Sequence, residues 1–426
     1  MQRDTDPADE IPQPADGAAD SEPMPATGTW EIFRIFLGLG LTSFGGPIAH
    51  LGYYRTAFVT RRGWLSEAAY ADLVALCQFL PGPASTQVSF SVGLIRGGWK
   101  GGLAAWCGFT LPSALLLLLF AYGAGMTQAP AFTGAIAGLK ILAVAVVADA
   151  VYGMGRSLAP GGARLEIALA ALAALGMLPG AGGQVAVILA GGLAGWALSL
   201  GTAADTQGAV HFQRQNLPGR GTGPGLVGLA LLLLVIPPLL LAAGLGGPGL
   251  ALFEAFYRAG ALVFGGGHVV LPLLQDAVVA PGWTDADTFL AGYGAAQAVP
   301  GPIFTFAAYL GAVSGPPTPG GLTGAAIALV AIFLPGLLLV AGTLPWWVEL
   351  RRLAAARAIM AGVNAAVVGV LAAALYDPVF TTGIRDTLGF AMAVAAFFAL
   401  RTWKLPVWMV VIATAAAGSL RAVTGI

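Results

Sequence analysis

Two apolar segments of the chain are interrupted by the same tripeptide, Pro81-Gly82-Pro83 in the first half and Pro300-Gly301-Pro302 in the second. Proline has no backbone N–H and clashes with the preceding turn, so each tripeptide predicts a break in an α-helix. A helix that restarts after a break presents unpaired N–H groups and the positive end of its dipole, which together favour an oxyanion. The spacing therefore predicts two anion-binding helix breaks.

Hydroxyl, imidazole and glycine residues accompany both breaks. Hydroxyl groups follow each tripeptide, a glycine motif precedes each, and a histidine follows each glycine motif and could carry a proton or contact an anion. Glycine lets the backbone approach a small ligand closely. The alternative is that these residues are kinks or close helix-packing points. The candidate substrate-binding residues are Phe44, Gly45, Gly46, Pro47, His50, Gln78, Pro81, Gly82, Pro83, Ser85, Thr86, Gly265, Gly266, Gly267, His268, Gln297, Pro300, Gly301, Pro302 and Thr305.

Ionisable residues are costly within apolar segments, so each one is a functional candidate. Three cations could neutralise a dianion, namely Arg34, Lys140 and Arg258. Glu254 precedes Arg258 by four residues, the spacing of a helical ion pair, so structural pairing or snorkelling is the alternative role. Candidate proton carriers are Asp72, Asp149 and Asp276.

These motifs occur twice because the chain contains an internal repeat. Phe44 returns 220 positions later as Phe264, Pro-Gly-Pro returns after 219 positions, and Leu111-Pro112 returns after 223 positions as Leu334-Pro335. Ordered matches at a nearly constant offset are the mark of many secondary transporter folds. The two halves are therefore predicted to be homologous.

The composition places both halves in a membrane. Hydrophobic residues make up 57% of the 426 residues and charged residues only 9%, whereas an ordinary soluble domain has about 25% charged residues. About 13 apolar segments are visible, and a membrane-spanning helix needs roughly 20 apolar residues. We expect an all-α polytopic membrane protein with about 10–13 transmembrane segments. Its predicted parts are a disordered acidic tail (1–28), a first repeat (29–201), a linker (202–224) and a second repeat (225–426).

Basic residues in the loops predict the orientation of the two halves. In the first half they flank the Pro-Gly-Pro segment, as Arg55, Arg61, Arg62, Arg96 and Lys100, whereas in the second half they lie in the turn after the Leu-Pro helix, as Arg351, Arg352 and Arg357. By the positive-inside rule the halves are inverted. Residues 68–95 then form a re-entrant hairpin about Pro81, and one further segment, such as 225–246 with Pro237-Pro238, is expected not to cross simply.

Several function classes lack their usual residues in this sequence. Metalloprotease, nucleotide-binding and dinucleotide-binding motifs do not occur, so hydrolytic, ATP-driven and redox chemistry are not indicated. We expect neither an enzyme nor a resident metal or cofactor. Outside the acidic tail the chain holds 19 bases and 13 acids, a surplus that mildly favours anions and that is also common in membrane proteins.

With its Phe44-Gly45-Gly46-Pro47, His50, Gln78 and Pro81-Gly82-Pro83 motifs, and their second-half counterparts, the chain resembles the chromate ion transporter family in its long, two-domain form. The resemblance implies secondary export of chromate across the bacterial inner membrane and chromate resistance. Chromate, or sulfate as a similar tetrahedral dianion, and membrane lipid are then the expected partners, with a homodimer as a further candidate and no nucleic acid. The alternatives are a sulfate or general oxyanion carrier, a passive channel, and a membrane-embedded enzyme.

Overall fold

The computed structural model describes residues 27–44, 46–124, 129–178, 180–200, 217–264, 269–350 and 353–424. Most of the acidic tail and of the linker therefore lies outside the described residues, as do Arg351 and Arg352. Within these ranges the chain is almost entirely helical and contains no strand. The predicted all-α class is confirmed, whereas the exact limits of the tail, repeats and linker stay predictions.

The helices of the first half are α1 (Thr29–Thr42), α2 (Gly46–Tyr54, continued by a π-helical turn Arg55–Arg61), α3 (Glu67–Phe79), α4 (Ala84–Ala124), α5 (Pro130–Leu158), α6 (Ala163–Met177) and α7 (Ala181–Ala197). Those of the second half are α8 (Gly223–Ala242), α9 (Pro248–Ala261), α10 (Val270–Val278), α11 (Ala286–Ala298), a 3-10 turn (Ile303–Thr305), α12 (Phe306–Val313), α13 (Gly321–Thr343), α14 (Trp347–Leu350), α15 (Ala354–Ala374, continued by a π-helical turn Leu375–Phe380), α16 (Thr381–Gly383), α17 (Thr387–Arg401) and α18 (Val407–Thr424).

Six of the described helices are long and apolar enough to cross a bilayer, namely α4, α5, α8, α13, α15 and α18. Shorter apolar helices include α7, α12 and α17. Large side chains such as Leu231 and Leu239 on α8 are exposed, which suits a surface that faces lipid tails rather than water. The polytopic membrane character predicted from composition is therefore confirmed.

Helix α4 is two helices joined at Gly97-Gly98, where the backbone is not helical. Its two parts pack against each other, because a Cβ on Gly93 would overlap the Gly101 carbonyl and one on Gly102 would lie 2.9 Å from the Phe90 ring. The first part, up to Arg96, therefore runs antiparallel to the second. The second part of α4, which contains the Leu-Pro motif, is therefore the part that can cross the bilayer.

The chain reverses at each Pro-Gly-Pro motif. In the first half, Cys77 on α3 lies against Ser91 on α4, five residues before and nine residues after Gly82. In the second half, the Tyr309 hydroxyl on α12 donates a hydrogen bond to the Thr288 carbonyl oxygen at the start of α11 (3.1 Å). Both contacts require antiparallel helices, so the predicted re-entrant hairpin about Pro81 is confirmed and has a counterpart in the second half.

The first glycine motif also turns the chain back, which the sequence did not reveal. The Phe36 ring on α1 lies 5.0 Å from the Phe58 ring in the turn that follows α2, and Tyr54 of α2 also packs on Phe36. Residues on opposite sides of the motif meet because α1, which ends at Thr42, and α2, which begins at Gly46, form a hairpin. The Pro-Gly-Pro motifs, and the described residues next to each Gly-Gly motif (Ser43, Phe44 and Gly46 in the first half, Val263 and Phe264 in the second), are referred to below as tips.

Equivalent helices of the two halves run in opposite directions. The Leu-Pro motif lies on α4 in the first half and on α13 in the second, and these helices pack together. Trp106 stacks edge-on to Phe333 at 6.0 Å, whereas Tyr122, further along α4, faces Gly321 at the start of α13. The residue numbers rise on one helix as they fall on the other, so the halves are inverted, as the loop charges predicted.

The expectation that residues 225–246 do not cross simply is wrong. Helix α8 is unbroken through Pro237-Pro238 and long enough to cross. Both hairpins of the first half return to their starting side, and α8, the first helix of the second half, packs on α13 and α9. Its crossing starts the second half on the opposite side.

Helices of each half also pack against helices of the other half. Helix α5 packs on α18, where Gly138 lies directly against the Thr414 carbonyl, and α15 packs on α7, where Gly362 lies directly against the Gly191 carbonyl. Only glycine allows such close approach, which is a common way for membrane helices to associate. Each half therefore contributes a helix that covers the glycine-containing face of a helix in the other half.

Candidate functional site

The tips of the two halves are joined by two reciprocal backbone hydrogen bonds. The Gly301 N–H donates to the Ser43 carbonyl oxygen (2.9 Å), and the Gly82 N–H donates to the Val263 carbonyl oxygen (2.7 Å). Ser43 and Val263 occupy equivalent repeat positions, as do the two glycines. The Pro-Gly-Pro tip of each half is thus bound to a residue just before the Gly-Gly motif of the other half, and the four residues that make these bonds are buried.

These bonds give the two tip glycines a structural role. The N–H groups of Gly82 and Gly301, which lie within the breaks, join the halves, whereas anion binding by the helices that restart after the breaks stays a prediction. The glycines are required for a conformational reason, because their φ angles are 118° and 104°, values that side-chain-bearing residues rarely adopt. Packing adds to this, since a Cβ on Gly301 would lie 2.9 Å from Ser113 Oγ and one on Gly82 would lie 3.1 Å from Gly336 Cα.

His50 links three of the candidate segments. Its Nε2 lies 3.2 Å from the Ser43 carbonyl oxygen, which also accepts the Gly301 N–H. Because a carbonyl can only accept, Nε2 carries the proton, and Nδ1 of the neutral ring then accepts from the Ser85 hydroxyl at 3.4 Å. The ring is almost fully buried and packs edge-on to Phe109. His50 therefore braces the meeting point of the two tips.

The donors that follow the breaks have different uses. Thr305 Oγ1 donates to the Pro302 carbonyl within its own turn, and Gln87 Nε2 bridges the carbonyls of Pro81 and Gly336, one from each half. The Thr86 hydroxyl, by contrast, is fully buried and has no hydrogen-bond partner among the described residues. Of the hydroxyl donors predicted from sequence, only that of Thr86 is not already engaged by the protein.

A cavity of about 130 Å³ lies beside the joined tips. Three of the predicted residues line it, Gly46, Gln297 and Gly301, together with Asp149 on α5. Gln297 is 9% exposed, and its Nε2 donor has no hydrogen-bond partner among the described residues. Pockets for drug-sized molecules are about 300–1,000 Å³, so this cavity suits a small ion. Its remaining lining residues are apolar: Val146, Ala150, Ala296, Val299, Ile303, Leu400 and Val407.

Asp149 is the charged residue among those that line this cavity, and Arg401 lies next to Asp149 without lining the cavity itself. Neither residue was among the site residues selected from sequence. Arg401 Nη1 on α17 lies 3.7 Å from Asp149 Oδ1. The sequence signal for Asp149 was its position in an apolar segment, which made it a candidate proton carrier. Arg401 gave no signal, because a base at the end of a helix is ordinary.

The three cations predicted to neutralise a dianion are placed elsewhere. Lys140 Nζ pairs with Asp287 Oδ1 (2.5 Å), and Arg258 pairs with Glu254 (2.7 Å) as the four-residue spacing indicated. Arg34 lies on the exposed face of α1. None of the three lines the cavity beside the tips.

The remaining predicted residues fall into three groups. Gln78, the repeat equivalent of Gln297, is exposed on α3, whereas Phe44, Pro47, Pro81, Pro83, Pro300 and Pro302 lie at the tips themselves. Gly45, Gly265, Gly266, Gly267 and His268 lie outside the described residues. The glycine tip of the second half is therefore represented by the segment up to Phe264.

Comparison with known proteins identifies what this arrangement belongs to. The sequence model of the family described as Chromate transporter matches residues 30–196 and again residues 250–419. The chain belongs to the chromate transporter family. Because one family model matches both regions, the two halves of this transporter are homologous, and the resemblance noted from its motifs is confirmed.

Individual relatives agree with the family match. The chain is 30% identical to the chromate transport protein of Pseudomonas aeruginosa over 407 residues, 92% of each chain. It is 26% identical to the chromate transport protein of Cupriavidus metallidurans, over 85% of this chain and 86% of the relative. An uncharacterised transporter of Bacillus subtilis, YwrB, is 34% identical over 173 residues, which cover 39% of this chain but 83% of that relative. No solved structure matches the chain significantly.

Proposed function

We propose that the protein exports chromate from the bacterial cytoplasm across the inner membrane by secondary transport, and that this export confers chromate resistance. The observation that carries the proposal is the cavity of about 130 Å³ beside the joined tips of two inverted halves. Inverted repeats with broken helices place substrate sites at the interface between repeats. Membership of the chromate transporter family supports the choice of anion.

The cavity has the chemistry that a small oxyanion requires. Gln297 offers an unpaired amide donor, Arg401 supplies a positive charge beside Asp149, and Gly46 leaves open space, since a Cβ there would meet no atom within 4 Å. Irregular backbone at membrane depth is tolerated where it is buried in protein or lines a cavity. We propose that chromate binds here, between Gly46 and Gln297.

Electrical energy favours the outward direction. A dianion that leaves a cell with a negative interior gains roughly 4.6 kcal/mol per 100 mV, at about 2.3 kcal/mol for each charge. Export therefore needs no ATP, which agrees with the lack of a nucleotide-binding motif in the sequence.

The test is uptake of radiolabelled chromate into inverted inner-membrane vesicles with an imposed potential. We expect saturable, potential-dependent accumulation by the wild type and its loss in Gly301→Leu, which cannot keep the φ of 104°. Gly228→Leu on α8 is the matched control, because a Cβ there meets no atom within 4 Å. Absence of wild-type accumulation, or equal loss in both variants, would contradict the proposal.

Sulfate is the second candidate substrate, because a cavity lined by one amide, one guanidinium neighbour and apolar side chains does not separate two tetrahedral dianions. Excess sulfate in the same assay separates the two cases. Accumulation that resists sulfate supports a chromate exporter, whereas equal competition makes the protein a general oxyanion carrier.

A further inference from the structure

The ion pair beside the cavity is unusually loose for charges at membrane depth. Asp149 Oδ1 is buried and has no hydrogen-bond partner among the described residues, and its nearest cation, Arg401 Nη1, lies 3.7 Å away, beyond hydrogen-bond distance. The Asp149 side chain is 35% exposed, so water can reach its carboxyl group. Asp149 therefore lines the cavity as a carboxylate that is held by one loose ion pair.

Arg401 is held from its other side by an aromatic ring. Its guanidinium carbon lies 4.3 Å above the centre of the Tyr152 ring, a cation–π distance, and the Tyr152 hydroxyl accepts a hydrogen bond from Arg156 one turn further along α5. The Arg401 side chain is 39% exposed. It is therefore anchored by Tyr152 and can shift between the Asp149 carboxylate and another acceptor without leaving that ring.

The charged and titratable groups that face Asp149 come from few elements. Arg401 faces it from α17, and Tyr152 and Arg156 follow it on α5. The cavity-lining residues from α2, α11, the tip before the 3-10 turn and α18 carry no titratable side chain among the described residues. Asp149 is therefore the titratable side chain among the described residues that line this cavity.

A carboxylate and a dianion cannot share so small a cavity without mutual repulsion. Two like charges at one site disfavour ionisation of one of them, so the carboxyl group takes up a proton when the second anion binds. Protonation of Asp149 would also release Arg401, whose Nη1 lies 3.7 Å from Asp149 Oδ1, to pair with the incoming oxyanion.

We infer that Asp149 and Arg401 form a proton-linked switch, in which binding of the oxyanion transfers Arg401 from Asp149 to the anion while Asp149 takes up one proton from water. This inference rests on the proposed function, because it assigns the coupling ion of the same cavity. One proton moves out with each dianion, so each cycle carries a net single negative charge instead of two. Release of the anion returns the proton to water and restores the ion pair.

The stoichiometry gives two separate measurements in inverted vesicles at alkaline pH, where chromate is the dianion. With one coupled proton, the accumulation ratio changes tenfold for each unit of imposed pH gradient. It changes tenfold for about 59 mV of imposed potential when one net charge moves, and for about 30 mV when two move. Both slopes are equilibrium quantities and do not depend on the amount of protein inserted.

Wild-type vesicles are expected to show the tenfold response to the pH gradient and the shallower voltage slope. In vesicles with Asp149→Asn, the accumulation ratio is expected not to respond to the pH gradient. It is expected to change tenfold for about 30 mV of imposed potential. Arg401→Gln should raise the half-saturating chromate concentration at least tenfold, with partial recovery in Arg401→Lys. Asp287→Asn, whose carboxylate pairs with Lys140 away from this cavity, is the control and should keep both wild-type slopes.

The outcomes separate this inference from the proposed function. Potential-driven wild-type accumulation with no pH response and a slope of about 30 mV overturns the switch and leaves chromate export intact. A pH response that persists in Asp149→Asn also overturns it, because the proton then travels on the substrate or on another residue. If Asp149→Asn does not insert, the wild-type slopes alone decide. Only failure of the wild type to accumulate chromate contradicts the proposed function itself.

Discussion

Replacing Gly301 with alanine tests whether the joined tips form the transport site. The φ angle of Gly301 is 104°, and a Cβ at this position would lie 2.9 Å from Ser113 Oγ and 3.4 Å from the Phe109 carbonyl oxygen. A non-glycine residue in such a conformation costs about 1 to 3 kcal/mol. The tip can relieve that strain only by moving, and moving breaks its hydrogen bond to the Ser43 carbonyl.

The strain sets the size of the expected effect. If relief of the strain opens the tips, a cost of about 1 to 3 kcal/mol lowers the population of intact sites by about 5- to 150-fold. Initial rates of chromate uptake should fall by a similar factor. A whole-protein stability of about 5 to 15 kcal/mol leaves the variant folded, which size-exclusion chromatography in detergent checks.

A second substitution separates steric overlap from backbone strain. Ser113 is the repeat equivalent of Gly336, which contacts the other tip glycine, Gly82. Adding Ser113→Gly to Gly301→Ala removes the Oγ contact but leaves the φ angle, so it should restore uptake only in part. Gly228→Ala on lipid-facing α8 should transport like the wild type. Wild-type uptake by inserted Gly301→Ala would refute the reasoning, as would an equal loss in Gly228→Ala.

Three further substitutions test the supports of the site. His50→Phe removes two side-chain hydrogen bonds, each worth about 0.5 to 1.5 kcal/mol, so the thermal midpoint of this variant should fall. His50→Gln should recover part of the loss. Equal midpoints for the wild type and His50→Phe would contradict the assigned contacts. Gln87→Leu leaves two bridged carbonyls unpaired, so its midpoint should fall further than that of Gln87→Asn, which keeps an amide donor, and no fall would show that the bridge is unimportant. Lys140→Met should lower stability without changing the half-saturating chromate concentration, because Lys140 is paired with a carboxylate; a raised concentration would return Lys140 to the binding site.

The tips could be predicted from sequence because their chemistry allows few conformations. Pro81-Gly82-Pro83 and Pro300-Gly301-Pro302 cannot continue a helix, and their recurrence at a constant offset excludes chance kinks. The loop charges predicted that the two halves are inverted, because positive residues mark the cytoplasmic side of a membrane protein. Local chemistry and a repeat were enough to predict the re-entrant hairpin and the antiparallel halves.

The turn at the first glycine motif could not be predicted in this way. Two glycines are compatible with a continuous membrane helix, and only the packing of Phe58 and Tyr54 on Phe36 shows that the chain returns. Missing that turn led directly to the wrong expectation for residues 225–246. Each reversal of the chain decides on which side of the membrane the next helix begins. One reversal that is missed therefore leads to a wrong assignment for another helix.

The partners of charged residues were also hidden, except where they were local. The pair of Glu254 and Arg258 is visible from its four-residue spacing, whereas Asp149 and Arg401 are 252 positions apart and meet only through the packing of α5 with α17. Repeat symmetry was misleading as well, because Gln297 lines the cavity while its equivalent Gln78 is exposed. Duplicated segments have diverged into different roles, which only tertiary contacts reveal.

The reciprocal tips imply that neither half can form the site alone. The cavity takes Gly46 and Asp149 from the first half and Gln297 and Gly301 from the second, and α5 and α15 each need a helix of the other half to cover their glycine faces. Residues 29–201 and 217–426 expressed separately should therefore be inactive, and their co-expression should restore uptake in inverted vesicles. The Bacillus relative that matches 173 residues of this chain over 83% of its own length shows that sequences of about half this size exist, so two half-length chains are a reasonable unit to reassemble. Chromate uptake by residues 29–201 alone would show that the shared cavity is not required, whereas restoration only in the co-expressed pair would tie transport to the contacts between the tips.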